Sequence, residues 1–431
     1  MSWQDGCLAC IVWFGLGIQP AMAGDAKALT LKEARQIALQ NHPRITRAEL
    51  VAMASKQVVV EVRSALLPTA VFNSTSVGIG DSNTRIAAGE LNNPEIYNRN
   101  AEGVAVSQLI TDFGRTSHLL SSSRLQSRAE EQNTEATREE VFLQVDVAYY
   151  AALKAQAVLE VAHQTLETRK LLLDQINALA QNKLRSALDV SFAQVAYEGG
   201  RLLVAKADND LHAAFAALDN VLGYREPHSF HLVEEPMRVA APEDESALLS
   251  EALTQRPDLI RLRYQRDAAI QFAQAEKALY YPTIAAFGAG GVIPVHDPQL
   301  KDRYAAAGIN LSLPLFEGGL FAARESEAKL RAQASAEALR DAEDNVVRDV
   351  RTASLNEAYA FQRLDLTQKL LDNASRAFDL AQARYTLGSS SIVELSQAQL
   401  SLTEAEIDHT NAKYEYQIQC AILNYDIGAV R

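Results

Sequence analysis

Cysteine, proline and long apolar runs are all scarce in this chain of 431 residues. Two of its three cysteines, Cys7 and Cys10, lie in an N-terminal apolar stretch, so Cys420 stands alone and no disulfide framework is expected. After that stretch no segment has the roughly 18 apolar residues of a membrane-spanning helix, so any membrane entry must use strands. The net charge of −13 argues against a nucleic-acid partner, because phosphate binding needs clustered Lys and Arg.

Motifs of catalysis and cofactor binding are also missing. The chain has no glycine-rich phosphate loop and no nucleophile elbow, and it has no Cys-x-x-Cys after residue 23. His228 and His231 have acidic neighbours, but they lie in a Pro-rich connector for which a solvated loop is the better interpretation. We therefore predict no enzyme activity, no cofactor and no metal site.

The N-terminus has the pattern of a secretory signal peptide, predicted over residues 1–23. Residues 8–18 form a short apolar core, and Ala21-Met22-Ala23 is an A-x-A cleavage signal. The usual positively charged start is missing, which a wrongly assigned start codon would explain. A faint lipoprotein-like sequence at 7–10 precedes the apolar core instead of following it. We expect an exported protein.

The remainder of the chain contains two copies of one unit. Asn41-His42-Pro43 corresponds to Gln255-Arg256-Pro257 at an offset of 214 residues. Further along, the offset is 205, where Leu188-Asp189-Val190 matches Val393-Glu394-Leu395 and Gly223 matches Gly428. A constant offset over more than a hundred residues indicates duplication. The predicted units are 24–223 and 247–431, joined by a Pro- and acid-rich connector at 224–246.

The distribution of proline predicts very long helices in both units. No proline lies between Pro94 and Pro227, and none follows Pro314. Small apolar residues recur there in steps of four and three, which is a heptad seam; they are Val141, Val145, Ala148 and Ala152 in the first unit and Val346, Val350 and Ala353 in the second. A helix over 117–181 would be about 100 Å long. Composition alone leaves a coiled-coil scaffold open.

Four segments between the helices have the character of strands, at 69–80, 101–111, 283–292 and 304–313. Two of them alternate cleanly with period two, and each is long enough to cross a bilayer at a tilt. Four strands cannot close a barrel, and an open sheet edge cannot sit in lipid. Several chains must therefore share one barrel; three would supply twelve strands, although this argument does not fix the number.

Three motifs resemble the outer-membrane efflux (TolC-like) family. They are Leu29-Thr30-Leu31 with Asn41-His42-Pro43, the junction from Leu311 to Gly319, and Ala383-Arg384-Tyr385-Thr386-Leu387-Gly388 with Val393-Glu394-Leu395. The resemblance covers about 29–428. It implies a mostly α fold with β structure: a trimer with a long antiparallel α-helical barrel or coiled-coil tunnel and a trans-subunit twelve-stranded outer-membrane β-barrel, to which each internally duplicated chain gives four strands.

The resemblance implies a passive exit duct in the outer membrane of a Gram-negative bacterium, with its helical tunnel in the periplasm. The expected partners are two further copies, a periplasmic adaptor, an inner-membrane pump reached through the adaptor, and outer-membrane lipid. Loops near 81–100 and 293–303 would face outside the cell. Small-molecule efflux and type I protein secretion both stay open, and the alternative is a periplasmic coiled-coil structural protein without conduction.

Candidate gate residues follow from the same resemblance. Asp189 and Tyr385 match an acidic residue and a tyrosine that help to hold the tunnel closed, whereas Ser390 stands where a basic partner is expected. Glu394 matches the first position of an acidic ring in the lumen, and Gln397 stands at the second. For Asp189 and Glu394, helix capping is the alternative role, and it can coexist with gating.

The two turns between the long helices are the expected adaptor contacts. Their residues are Leu184, Arg185 and Ser186 in the first turn and Gly388, Ser389, Ser390 and Ile392 in the second. Gly388 is predicted to supply the backbone conformation of its turn. Because Lys183 stands at the equivalent position, we expect a different conformation in the first turn.

Overall fold

The computed structural model describes residues 27–78, 99–228, 230–237, 244–296 and 301–430. The predicted signal peptide, most of the loop near 81–100 and part of the connector lie outside these residues. The first half contains β1 (Lys27–Leu29), α1 (Leu31–Asn41), α2 (Pro43–Ser64), β2 (Thr69–Val77), β3 (Arg99–Thr111), α3 (Arg115–Gln181) and α4 (Ala187–Leu222). The second contains β4 (Phe230–Leu232), α5 (Glu245–Gln255), α6 (Pro257–Lys277), β5 (Thr283–Val295), β6 (Arg303–Ser312), α7 (Leu320–Thr386) and α8 (Ile392–Asp426).

The internal duplication is visible in the bounds of these elements. Helices α3 and α7 each span 67 residues, and their first residues, Arg115 and Leu320, are 205 positions apart. The short helices α1 and α5 begin 214 positions apart, at Leu31 and Glu245. At about 1.5 Å per residue, each long helix is roughly 100 Å in length. Helices of this length need other helices packed along their sides, because one compact core cannot bury their apolar residues.

Proline and glycine set the ends of the helices in both halves. Pro43 and Pro257 stand at the first position of α2 and α6, where the missing N–H breaks no helical bond. Gly223 and Gly428 follow α4 and α8 with φ of 82° and 74°. Both pack against the junction of the short helices, since an added Cβ would lie 2.8 Å from the Asn41 oxygen or 3.2 Å from the Arg256 nitrogen.

Four strands form one antiparallel sheet in the order β2-β3-β5-β6. The register places Phe72, Val104 and Gly290 in one row and sets Ile309 and Leu311 opposite Ala286 and Ile284. Because alternate residues point to the same face, these apolar side chains share a face of the sheet. Within the described residues, the outer edges of β2 and β6 have no strand partner.

The helices continue the order of the strands. Near the sheet, neighbouring helices lie in the order α2-α3-α6-α7. Farther from the sheet, α4 takes the place of α2 and α8 takes the place of α6, so that α3 packs between α4 and α8. The seam residues predicted from the heptad are buried; they are Val141, Val145, Ala148 and Ala152 on α3 and Val346, Val350 and Ala353 on α7. Alanine at these positions permits the close approach of neighbouring helices.

A two-stranded parallel sheet of β1 and β4 ties the start of the chain to the connector. The buried Tyr149 of α3 holds this sheet, because its hydroxyl lies 2.8 Å from the Leu29 oxygen and 2.7 Å from the Val233 oxygen. Its ring packs with Leu29, Leu218 and other apolar residues of the same cluster. In the part of the chain that the structure describes, no helix combines the length and the apolar character needed to cross a membrane.

Alanine substitutions at three glycines separate backbone strain from steric clash. Gly223, Gly428 and Gly388 all have positive φ, which costs an alanine about 1–2 kcal/mol. Nothing lies within 4 Å of a Cβ at Gly388, in contrast to the other two positions. We expect the midpoint of thermal unfolding, followed by far-UV circular dichroism, to fall most for Gly223→Ala, less for Gly428→Ala and least for Gly388→Ala. A larger fall for Gly388→Ala than for Gly223→Ala would contradict this packing.

Candidate functional site

The candidate site lies at the two turns that end the long helical hairpins. In the first turn the Leu184 N–H donates to the Leu179 oxygen at 2.9 Å, and in the second the Ser389 N–H donates to the Arg384 oxygen at 2.9 Å. Lys183 has a φ of 62° and Gly388 a φ of 75°. The expectation of a different first turn was therefore wrong. The bonds to the last helical carbonyls offset the cost of left-handed backbone at a lysine.

Asp189 and Glu394 occupy equivalent capping positions at the starts of α4 and α8. Ser186 and Asp189 form a capping box, in which the Asp189 N–H donates to the Ser186 hydroxyl and the Asp189 carboxylate accepts from the Ser186 N–H at 2.9 Å. At the second turn the Glu394 N–H donates to the Ser391 hydroxyl at 3.2 Å. The Asp189 carboxylate thus takes part in capping α4, whereas at α8 the Ser391 hydroxyl is the cap and Glu394 contributes only its backbone N–H.

Tyr385 joins the two hairpins through an arginine. The guanidinium carbon of Arg185 lies 4.0 Å from the centroid of the Tyr385 ring, and the Arg185 Nη2 donates to the Tyr385 backbone oxygen at 2.7 Å. Tyr385 itself is only 4% exposed and packs with Ile176 and Leu395. The contact therefore connects the turn after α3 to the end of α7 by a cation–π interaction and a hydrogen bond.

The Tyr385 hydroxyl is buried and has no hydrogen-bond partner among the described residues. Burial raises the pKa of the Tyr385 phenol; the Arg185 guanidinium opposes this rise and the nearby Asp189 carboxylate adds to it. The phenol thus stays neutral across the physiological range. Leaving a buried hydroxyl unpaired costs about 1–3 kcal/mol.

Glu394 forms an ion pair within its own hairpin. Its carboxylate lies 2.8 Å from the Arg384 Nη1, and both side chains are about half exposed. Such an exposed pair is worth about 0–1 kcal/mol. It also leaves little net charge at this point of the surface, which weakens any field from Glu394 while the pair is intact.

The turn residues predicted to contact an adaptor differ in exposure. Leu184 is 70% exposed. In the second turn Leu387, which was not among the predicted contacts, is 83% exposed. Ser389 is also exposed, and Ser390 is partly buried. Ile392, in contrast, is only 4% exposed and packs into the cluster around Tyr385. The Ile392 side chain is therefore part of the buried cluster next to the turn, and in this arrangement an adaptor cannot contact it.

Comparison with known proteins places the chain among outer-membrane proteins. The model of the outer membrane efflux protein family matches residues 34–224 and matches again over 248–428. The chain belongs to this family. Each match covers one of the two repeats, so the family's unit corresponds to one repeat and the chain contains two.

Individual members of the family resemble the chain along most of its length. Outer membrane protein TolC of Escherichia coli K12 is 24% identical over 94% of this chain and 83% of its own length. Alkaline protease secretion protein AprF of Pseudomonas aeruginosa is 23% identical over 94% of this chain and 86% of its own. The crystal structure of CusC superposes with a TM-score of 0.81 at 20% identity, covering 92% of both chains.

As an outer membrane efflux protein, the chain is an outer-membrane exit duct whose helical part extends into the periplasm. The family is one of channel and transport proteins. The periplasmic coiled-coil scaffold that composition left open is not favoured by these findings.

Sequence reasoning assigned Arg185 to adaptor contact and did not find its contact with Tyr385, although a signal was present. Ser390 replaces the basic residue that the outer membrane efflux protein family suggested for the second turn, and the residue 205 positions earlier is Arg185. The basic residue expected in the second turn is thus present in the first turn, at the equivalent position. The ion pair of Arg384 with Glu394 was missed as well.

Replacement of Arg185 should loosen the tip locally. The Arg185→Gln variant loses the cation–π contact and the charged hydrogen bond, worth together about 1–2 kcal/mol. We expect amide hydrogen exchange over 385–391 to become about tenfold faster, since 1.4 kcal/mol corresponds to a factor of ten. The matched control is Arg384→Gln, which removes an exposed pair of the same residue type and should accelerate exchange less. Equal rates in wild type and Arg185→Gln would show that Arg185 does not hold the tip.

Proposed function

We propose that three copies of the chain assemble into one exit duct, in which their sheets form a twelve-stranded barrel and their helices form a continuous tunnel. The duct conducts substrates passively from a periplasmic adaptor, supplied by an inner-membrane pump, to the cell exterior. Its cargo is a small molecule or a secreted protein; relatives such as AprF, named for alkaline protease secretion, motivate the second class.

The observation that carries this proposal is that apolar side chains on α7 are more exposed than the equivalent residues on α3. On α7 three apolar side chains in a heptad pattern are exposed: Leu355 by 72%, Tyr359 by 65% and Leu366 by 55%. The equivalent residues of α3, 205 positions earlier, are partly buried, because α3 packs against α8 in the same chain. A soluble monomer rarely exposes such a stripe, so we infer that another copy covers α7.

The sheet supports the same assembly. Inside the chain, β3 pairs with β5, and the repeat-equivalent pairing would join β6 of one copy to β2 of the next. That pairing would satisfy the backbone groups at both open edges, which lipid cannot do. The apolar face with Phe72, Val104 and Ile309 would then face lipid, and the chain would have no unpaired edge in the membrane.

At the periplasmic end, the tip contacts would act as the closure of the tunnel. Arg185 and Tyr385 connect neighbouring hairpins within each copy, and their separation would let the hairpins move apart. The exposed Leu184 and Leu387 would present apolar side chains to the adaptor. A partner that binds these leucines can stabilise the open arrangement by its differential affinity.

Single-channel recording in planar bilayers tests the duct. We expect discrete conductance steps for the purified wild-type assembly, and a larger or more frequent conductance for Arg185→Gln, because weakening the tip opens the narrow end. The control is Arg201→Gln, which removes an exposed arginine of α4 that takes no part in the tip contacts. A pure assembly that conducts in neither wild-type nor Arg185→Gln form would refute the duct.

Charge substitutions at the second turn test whether Glu394 faces the permeation path. Glu394→Gln removes one negative charge per copy, and Arg384→Gln exposes it by removing its partner. If Glu394 lines the lumen, the first variant should lower cation selectivity and the second should raise it. Reversal potentials under a salt gradient measure both. Unchanged selectivity in two conducting variants would restrict Glu394 to its role in the turn.

A further inference from the structure

Of the four long helices α3, α4, α7 and α8, only α4 contains glycine, and its two glycines are adjacent. Gly199 and Gly200 lie about 18 Å from the start of the helix at Ala187. After proline, glycine is the residue that least favours a helix interior, and kinks concentrate at proline and at pairs of glycine or serine. The helix nevertheless runs without a break from Ala187 to Leu222, so contacts from outside α4 support its weakest turn.

Arg169 of α3 supplies these contacts. A Cβ added at Gly200 would lie 3.3 Å from the Arg169 Cδ, and one added at Gly199 would lie 3.4 Å from the Arg169 Nη1. The same Nη1 donates to the Ala196 oxygen at 3.0 Å. In an α-helix that oxygen is also the acceptor for the N–H four residues later, which belongs to Gly200. Arg169 therefore packs on the weak turn and bonds to it.

The duplication shows that the helical hairpin can be built without this arrangement. The residues 205 positions after the two glycines are Glu404 and Ala405 of α8, and the residue 205 positions after Arg169 is Ala374 of α7. Ala374 is buried, as expected for a small residue between packed helices. An arginine facing two glycines is thus a property of the first hairpin alone.

The charge of Arg169 is buried without a counter-ion. Arg169 is only 9% exposed, and within the described ranges its Nε has no hydrogen-bond partner. Burial alone lowers the pKa of its guanidinium. A buried charge without a carboxylate partner is unfavourable, and separation of α3 from α4 at this level would return the guanidinium to water. The contact can therefore be broken and re-formed.

We propose that α4 bends at Gly199–Gly200 when the tip opens, and that Arg169 is the latch that keeps this turn straight while Arg185 contacts Tyr385. The inference rests on the proposed closure of the tunnel at the tip. The bend would carry the start of α4, with the turn before it, away from the second hairpin. The first hairpin would make the larger movement, because α7 and α8 contain no glycine.

Substitution of Gly199 by alanine tests the bend and leaves the straight helix intact. The added methyl group makes an ordinary contact with the Arg169 Nη1, and Gly199 does not have a positive φ. Because alanine stabilises a helix interior, we expect the amide hydrogen-exchange protection factors over 200–204 to rise about fivefold. The control Glu404→Ala changes an exposed residue at the equivalent position of α8 and should leave these factors unchanged.

The same substitution has an expected effect on the channel. In planar bilayers Arg185→Gln/Gly199→Ala should open less often than Arg185→Gln, whereas Arg185→Gln/Glu404→Ala should match it. If Arg185→Gln conducts more than wild type and Gly199→Ala changes neither protection nor opening, the bend is wrong and the duct stands. If neither wild type nor Arg185→Gln conducts, the proposed function is overturned and the bend with it.

Arg169→Ala, which introduces the residue found at the equivalent position of α7, tests the latch. We expect protection over 200–204 to fall about tenfold, since a hydrogen bond from a charged group is lost, and channel openings to become more frequent. The double variant Arg169→Ala/Gly199→Ala should return both quantities toward wild type, because the stiffer helix no longer needs the latch. A double variant as poorly protected as Arg169→Ala would overturn the latch and restrict Arg169 to general packing of the hairpin.

Discussion

The hydrogen-bonding groups at the two edges of the sheet constrain everything else in this molecule. Four strands are too few to close on themselves, and the outer edges of β2 and β6 carry backbone donors and acceptors that water or another strand must satisfy. In the proposed barrel the sheet would meet lipid, where water is not available as a partner. Other copies of the chain would then supply the partners, in the geometry that the internal β3–β5 pairing shows.

The same logic extends down the helices. Each half of the chain presents one surface that the other half covers and one that it leaves open, and the open surfaces carry apolar side chains such as Leu355 and Tyr359. Under the proposed assembly, one set of contacts would serve within the chain and between chains. The repetition is not exact at the tip. Ser390 is the repeat equivalent of Arg185, and only Arg185 contacts Tyr385.

Much of this architecture was predictable from the sequence, for identifiable reasons. The absence of proline and the heptad seam defined α3 and α7, and the period-two segments identified the strands. The contact of Arg185 with Tyr385 could not be predicted in the same way, because it joins residues 200 positions apart through a long side chain. The turn at Lys183 was misjudged because glycine preference was treated as a requirement, whereas capping bonds can hold a lysine in left-handed backbone. The burial of Ile392 follows from packing between hairpins, which local sequence does not encode.

Residue-resolved amide hydrogen exchange of the membrane-extracted protein tests the closure of the sheet most directly. If other copies complete the barrel, every amide in the central parts of β2 and β6 should be as protected as those of the inner strands β3 and β5. If the sheet is open, alternate amides of β2 and β6, those directed away from their single partner strand, should exchange rapidly while β3 and β5 stay protected. That alternating pattern would contradict the account.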